Sequence, residues 1–398
     1  MHKPIENKVG PETFEGAASI YIHIPFCRTK CPYCSFVSYP GKNNDFIVRY
    51  MQTLVQQAED MAAHPWTRAR QFISLYVGGG TPSTVDSEVM ADFIERCLAE
   101  FDFTSTEEQY PEVTMEVNPK TVNREMLRRL KQAGVNRLSI GVQSFSDTML
   151  RLLGREHTAQ DCFEVVGLAR DADFKNISLD LMYGLPGQDL ATWKNSLQAA
   201  VGLHPEHLSV YELTIEEGTP FAEQVSLGSL DIPGEGAVLA MYESARETLS
   251  ESGYTQYEIS NYARKGFRSI HNINYWENGS YIGLGCGAFS CFSGVRIQND
   301  EDPERFMKKL MIKQKPYKDG EFLPLEARFR ESVVMGLRMT EGVSIARLRR
   351  RYGITPGRYY GKTLKDLIEQ GLLEEKHNML RLTKRGMTLA NRIMARLV

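Results

Sequence analysis

Apolar residues along this chain fall into two alternating periods. Ser19 to Ile24 is a short apolar, β-prone run that Pro25 ends, because proline removes a ladder donor. Ile47, Met51, Leu54, Ala58 and Met61 then recur at helical spacing, which predicts a helix over 45–64. Further strands are predicted at 72–77, 112–117, 137–142, 176–182 and 207–213, and helices at 123–133, 161–171 and 190–203. Six strand–helix units with short joins imply an α/β fold: a parallel sheet with right-handed crossovers, curled as a partial (β/α)6 barrel. A closed eight-unit barrel needs two more units, and the chain after Leu213 does not supply them clearly.

Beyond the sixth strand the pattern changes. An amphipathic helix is expected within 232–253 and a strand over 254–260, followed by Ser269-Ile270-His271-Asn272-Ile273-Asn274-Tyr275-Trp276 and a glycine-rich run over 281–288. From Asp302 basic helices are predicted at 303–313, 325–338, 344–352 and 361–370. Two short strands, 372–375 and 379–382, join through a His377-Asn378 turn, and a helix capped by Thr383 runs to Leu397. Helix, helix, hairpin, helix is a winged-helix-like α+β pattern. The expected divisions are an N-terminal tail at 1–18, the barrel at 19–230, an extension at 231–300 and the C-terminal unit at 301–398.

Composition narrows the function classes. With 398 residues, 42% of them hydrophobic, the chain is an ordinary globular protein. Its net charge of −3 gives no basic field. Arg347, Arg349, Arg350, Arg351 and Arg358 would allow a DNA-binding reading of the last unit, but such units also serve as lids or protein contacts, and no nucleic-acid partner is expected. No run of 18 apolar residues and no apolar leader core is present, so a cytoplasmic protein is expected.

Chemistry concentrates in Cys27-Arg28-Thr29-Lys30-Cys31-Pro32-Tyr33-Cys34, a loop at the carboxyl end of the first strand, where α/β folds place ligands. Three thiolates could hold a cubane iron–sulfur cluster with one iron open to a small molecule. A zinc site is an alternative and would need a fourth ligand, for which Cys286 or Cys291 could approach. A disulfide framework does not suit a reducing compartment. Gly78-Gly79-Gly80-Thr81-Pro82 ends the second strand, either as a plain turn or as a backbone cradle with N–H groups free to bond a ligand. Tyr21, Glu116, Gln143, Arg155 and Asp180 also fall near strand ends. Singly each could be a loop residue or cap; together they suit one convergent rim, with carboxylates for ribose hydroxyls and arginine for a carboxylate. His271, two aromatics and the glycine run could line a pocket for a flat ligand, or form a packed loop.

The cysteine spacing, with an aromatic before the third cysteine, resembles the cluster loop of radical S-adenosylmethionine (SAM) proteins. That resemblance implies a 4Fe–4S cluster on Cys27, Cys31 and Cys34, with the amino and carboxylate groups of SAM on the open iron and a 5′-deoxyadenosyl radical as the product of reductive cleavage. The GGGTP, GVQSF, LGR and DLMYGLPGQ segments resemble the coproporphyrinogen-dehydrogenase branch. They imply SAM contacts from Tyr21, Tyr33, Gly79, Gly80, Thr81, Glu116, Gln143, Arg155 and Asp180. HNxNYW followed by GxGCGA resembles the HemW family of heme chaperones, which implies heme near His271. Members commonly carry histidine after GCGA, where this chain has Phe289. The decarboxylases of the branch (HemN) carry a fourth cysteine two residues past the third, where this chain has Phe36, and a longer segment ahead of the loop. The expectation is therefore a heme chaperone, with oxygen-independent coproporphyrinogen III dehydrogenase or another radical SAM heme-modifying enzyme as alternatives. Heme, heme-accepting proteins such as respiratory hemoproteins, and a second copy of the chain are the partners so implied, with peripheral contact at the inner face of a membrane.

Overall fold

The computed structural model describes residues 17–68, 70–104, 110–292 and 294–398. Most of the expected N-terminal tail (1–16) lies outside them. The six strand–helix units are β1 (Ala18–Ile24), α1 (Asn44–Ala62), β2 (Phe72–Gly79), α2 (Ser87–Glu100), β3 (Glu112–Val117), α3 (Arg124–Gln132), β4 (Arg137–Gln143), α4 (Ala159–Asp171), β5 (Ile177–Tyr183), α5 (Leu190–Gly202), β6 (His207–Glu212) and α6 (Glu235–Glu251). Each β-strand from β1 to β6 pairs in parallel with the next. Local chemistry sets the helix starts: Asn43, Asp86, Asn123 and Asp189 each accept a first-turn N–H, and Thr158 and Asp161 form a reciprocal capping box before α4.

The sheet continues past both ends of this set. After helix α7 (Ile270–Trp276), strand β7 (Tyr281–Leu284) adds in parallel to the outer edge of β1. An antiparallel meander of β8 (Phe289–Phe292), β9 (Val295–Asn299) and β10 (Tyr317–Phe322) extends that edge. At the other end, Asn261–Ala263 and Thr255–Gln256 pair antiparallel beyond β6, where a single strand over 254–260 was expected. The result is one open sheet of twelve strands, its edges at β10 and Thr255–Gln256.

The two faces of the barrel strands differ sharply. Ile20, Ile22, Leu75, Val77, Val113, Met115, Leu138, Ile140, Leu179 and Val210 point into the core between sheet and helices, against Leu54, Ile94, Leu127 and Leu197. Each such fully buried side chain contributes about 1.5–3 kcal/mol. The alternate positions are polar and bond one another between neighbouring strands along the inner wall: Ser74 with Ser19, Tyr76 with Glu116, Ser139 with Asp180, Ser178 with His207. The C-terminal unit has its own core of Phe329, Val333, Leu348, Leu367, Leu380 and Ile393. Val343–Ser344 joins the predicted hairpin as a third strand, with His377 and Asn378 at positive φ in its turn, and two short helices, Lys384–Met387 and Ala390–Ala395, replace the single closing helix expected.

Candidate functional site

A cavity of about 450 Å³ opens at the carboxyl ends of β2 to β6. Cys27, Cys31 and Cys34 line its mouth, all half-buried. The Cys34 N–H donates to the Cys31 carbonyl at 3.1 Å, which turns the loop back on itself. Burial pushes the Cys27 and Cys34 thiols up; the Thr81 hydroxyl, 3.6 Å from Cys27 Sγ, opposes this for Cys27. Cys286 and Cys291 are buried and do not line the cavity. Among the described residues no three His, Cys, Asp or Glu side chains close around a single metal ion. The donor set at the mouth is thus three thiols from one loop. An iron–sulfur cluster takes such all-thiolate ligation, and three ligands leave one of its irons open.

Glycines let the backbone come close here. A Cβ on Gly80 would stand 2.6 Å from the Phe26 carbonyl oxygen and 3.0 Å from Cys27 Sγ. Gly79 has φ +116 and lies against the His23 ring, and Gly154, at φ +67, lies against Pro32 of the cysteine loop. The expectation of free N–H groups is corrected. Gly79 N–H donates to Glu116, Gly80 N–H to the Ile24 carbonyl and Thr81 N–H to the Phe26 carbonyl. Neither Gly79 nor Gly80 therefore has a free N–H to give a ligand.

Thr81, Glu116, Gln143, Arg155, Asp180 and Tyr33 all line the same cavity. Glu116 accepts from the Tyr76 hydroxyl at 2.8 Å; burial raises its carboxyl to about 7, against those two donated bonds. Burial likewise raises Asp180 to about 6, although serine hydroxyls donate to it. Gln143 ends β4 beyond a register shift, at φ 64, still paired with Leu181 and lining the cavity. The Arg155 guanidinium donates to Asn118 Oδ1 and to the Gly141 carbonyl, with Nη1 3.8 Å from Cys31 Sγ. Tyr33 packs on Phe221.

Tyr21 and His271 stand apart from these. Tyr21 is stacked on Tyr76, and its hydroxyl bonds His23 Nδ1 at 2.9 Å, so it lies behind the lining. His271 is only 1% exposed. It sits on α7, which plugs the lower end of the barrel: Glu112 accepts from Ser269 Oγ and from the Ile270 and His271 N–H groups. Its Nδ1 bonds Ser74 at 2.9 Å, its ring stacks on Tyr76, and burial, with the nearby Arg137 charge, lowers it to about 3, so it is neutral. Among the described residues its Nε2 has no hydrogen-bond partner.

Several lining residues escaped the sequence reading: Asn118, which links Thr81 to Arg155, and Tyr76, Arg137, Ser139, Ser209 and Tyr211. The polar alternation within otherwise apolar strands was the signal for them. His23 also escaped it; its Nε2 meets the Val37 carbonyl at 2.8 Å and ties the far end of the cysteine loop to β1.

Residues 21–200 match the Radical SAM superfamily and residues 323–389 the HemN C-terminal domain. The chain is 37% identical to the protein named Heme chaperone HemW of Bacillus subtilis (strain 168), over 94% of this chain and 97% of that one. It is 39% identical to the HemW of Escherichia coli (strain K12), over 68% and 69%. It is also 33% identical to the mitochondrial radical S-adenosyl methionine domain-containing protein 1 of Bos taurus, over 100% and 91%. Among solved structures, coproporphyrinogen III oxidase (HemN) of Escherichia coli matches with TM-score 0.82 over 96% of this chain and 90% of that one, at 23% identity, a likeness of fold. The thiol loop, the glycine turn and the polar rim thus sit on the frame of these relatives, and the chain belongs to the HemW family of the radical SAM superfamily.

Proposed function

We propose that this protein is a heme chaperone that holds a 4Fe–4S cluster on Cys27, Cys31 and Cys34, binds SAM beside it, and passes heme to acceptor proteins. The observation that carries the reading is the three-thiol loop at the mouth of a polar-lined cavity, with the exposed Phe36 where the decarboxylase branch carries a further cysteine. When bound, the cluster supplies an electron-transfer centre with one iron open to a ligand. The chain does the rest. Gly79 and Gly80 lie beside the SAM amino group, and Arg155 faces its carboxylate. Glu116 and Asp180 take its ribose hydroxyls, Thr81, Gln143 and Tyr33 pack or bond along its length, and Tyr21 braces them through Tyr76.

His271 is the proposed iron ligand for heme. Its ring is neutral and its Nε2 is unpartnered, as a ligating imidazole requires. Its burial behind Tyr76 means that heme reaches it only when α7 or Tyr76 shifts. Phe289, 43% exposed after the glycine turn, offers heme an apolar face and no ligand. Respiratory hemoproteins as acceptors, a homodimer, and a cytoplasmic site of action reaching the inner face of a membrane go with this reading. Among the described residues no helix is long and apolar enough to cross a membrane.

The test is anaerobic reconstitution followed by two assays on one sample. Heme titration should show a strong loss of affinity in His271→Ala, and coproporphyrinogen III should survive incubation with SAM and reductant. Efficient decarboxylation would replace the chaperone by the dehydrogenase.

A further inference from the structure

Arg137 begins β4 and is the deepest charged residue of the cavity lining. Its side chain is 1% exposed, yet it makes no hydrogen bond or ion pair with any described residue, and its Nε is buried without a partner. Glu112 and Asp180 act on it through space only. Both have their oxygens engaged elsewhere, Glu112 by the start of α7 and Asp180 by serines. A guanidinium carries five donors, and one of them, on Nε, is buried with no acceptor among the described residues, which is costly. Thr114, its register partner on β3, also has a buried hydroxyl without a partner.

The position is deeper than the proposed SAM residues require. Along β4 the cavity is lined by Arg137, Ser139, Gly141 and Gln143, a span of roughly 20 Å at the rise of a strand. Glu116 is in register with Ser139, and Gln143 and Arg155 stand nearer the mouth. Arg137 lies one pleat repeat below Glu116. A planar fork of donors at the blind end of a cleft matches a carboxylate, which accepts two parallel N–H bonds.

We propose that Arg137 is the receptor for a carboxylate of the cargo: on the reading above, on which this rests, one propionate of heme inserted edge-first into the barrel. The test compares hemin with its dimethyl ester, in which both propionates are masked, on the reconstituted full chain. Wild type should bind the ester about 10- to 100-fold more weakly, the range of a charge-assisted pair. Arg137→Gln should bind hemin as weakly as wild type binds the ester, bind the ester no worse, and keep its SAM affinity. Equal binding of hemin and ester by wild type overturns the proposal while leaving a heme chaperone, and needs no variant to fold. A preference for hemin that survives Arg137→Gln, or a loss of SAM affinity alone, also overturns it. Wild type that binds neither form removes the chaperone reading itself.

Discussion

Gly80 shows how little space one position can have. Its missing Cβ faces a backbone oxygen and a cysteine sulfur, neither of which can swing away, so Gly80→Ala should cost about 1–3 kcal/mol and displace the loop. Iron and sulfide per chain after anaerobic reconstitution should fall, whereas Gly236→Ala, with open space around it on α6, should keep full loading. Titration supplies a second prediction at this scale. Glu116 and Asp180 are raised in the folded chain to about 7 and about 6, above their ordinary values of 4.5 and 3.8. The unfolded chain therefore releases these protons first, and stability falls as pH rises from about 4 to about 7. Thermal midpoints of the cluster-free protein should show that fall, and Glu116→Gln should flatten it; an unchanged slope would remove the assigned shift. The cysteines and glycines were legible because their spacing is local. Arg137 and His23 were not, because their meaning depends on what stands on the neighbouring strands.

Helix α7 shows the same limit at the scale of elements. The HNxNYW segment reads as a pocket wall, but it folds as a seven-residue helix too short to persist alone, and it is held by its partners. Ser269 caps it from within the segment, and Glu112, from another strand, takes two of its first N–H groups. Glu112→Ala should destabilise the protein by about 2–4 kcal/mol. It should also speed hydrogen exchange at 270–276 before any other part of the barrel; unchanged protection there would mean that α7 is held by packing alone. The six parallel strands were legible from their periodicity, since strands buried against helices leave long apolar signals; helix α2 was not among the helices expected. The meander was not. β10 reads Tyr317-Lys318-Asp319-Gly320-Glu321-Phe322, largely exposed, and becomes a strand only because β9 offers it an edge.

On the scale of the whole molecule, the C-terminal unit grips the segment around α7. Arg338 lies 4.4 Å over the Trp276 ring, Arg347 pairs with Glu277 at 2.7 Å, and both Nη atoms of Arg351 donate to the Asn278 carbonyl at 3.0 Å. Arg351→Ala leaves that carbonyl without these donors and should expose the segment around 278 to limited proteolysis while the C-terminal core melts as before. The cysteine loop is likewise held by hydrogen bonds from the protein, through Tyr39 N–H to the Pro25 carbonyl, Thr81 N–H to the Phe26 carbonyl and His23 to Val37. Stripping iron with a chelator should therefore leave far-UV circular dichroism unchanged, unlike a small zinc domain that unfolds with its metal. A melted spectrum would reverse that expectation. The polar lumen has one more effect. Because the apolar core lies outside the strands, the inner wall is made of hydroxyls, carboxylates and a guanidinium on rigid strands. A greasy molecule entering it would strip water from those groups and return no hydrogen bonds, a penalty that grows with every group it covers. The barrel thus screens its contents by rejection: a wholly apolar molecule such as a lipid tail is the least able to stay, whereas a cargo that carries carboxylates meets donors on the wall.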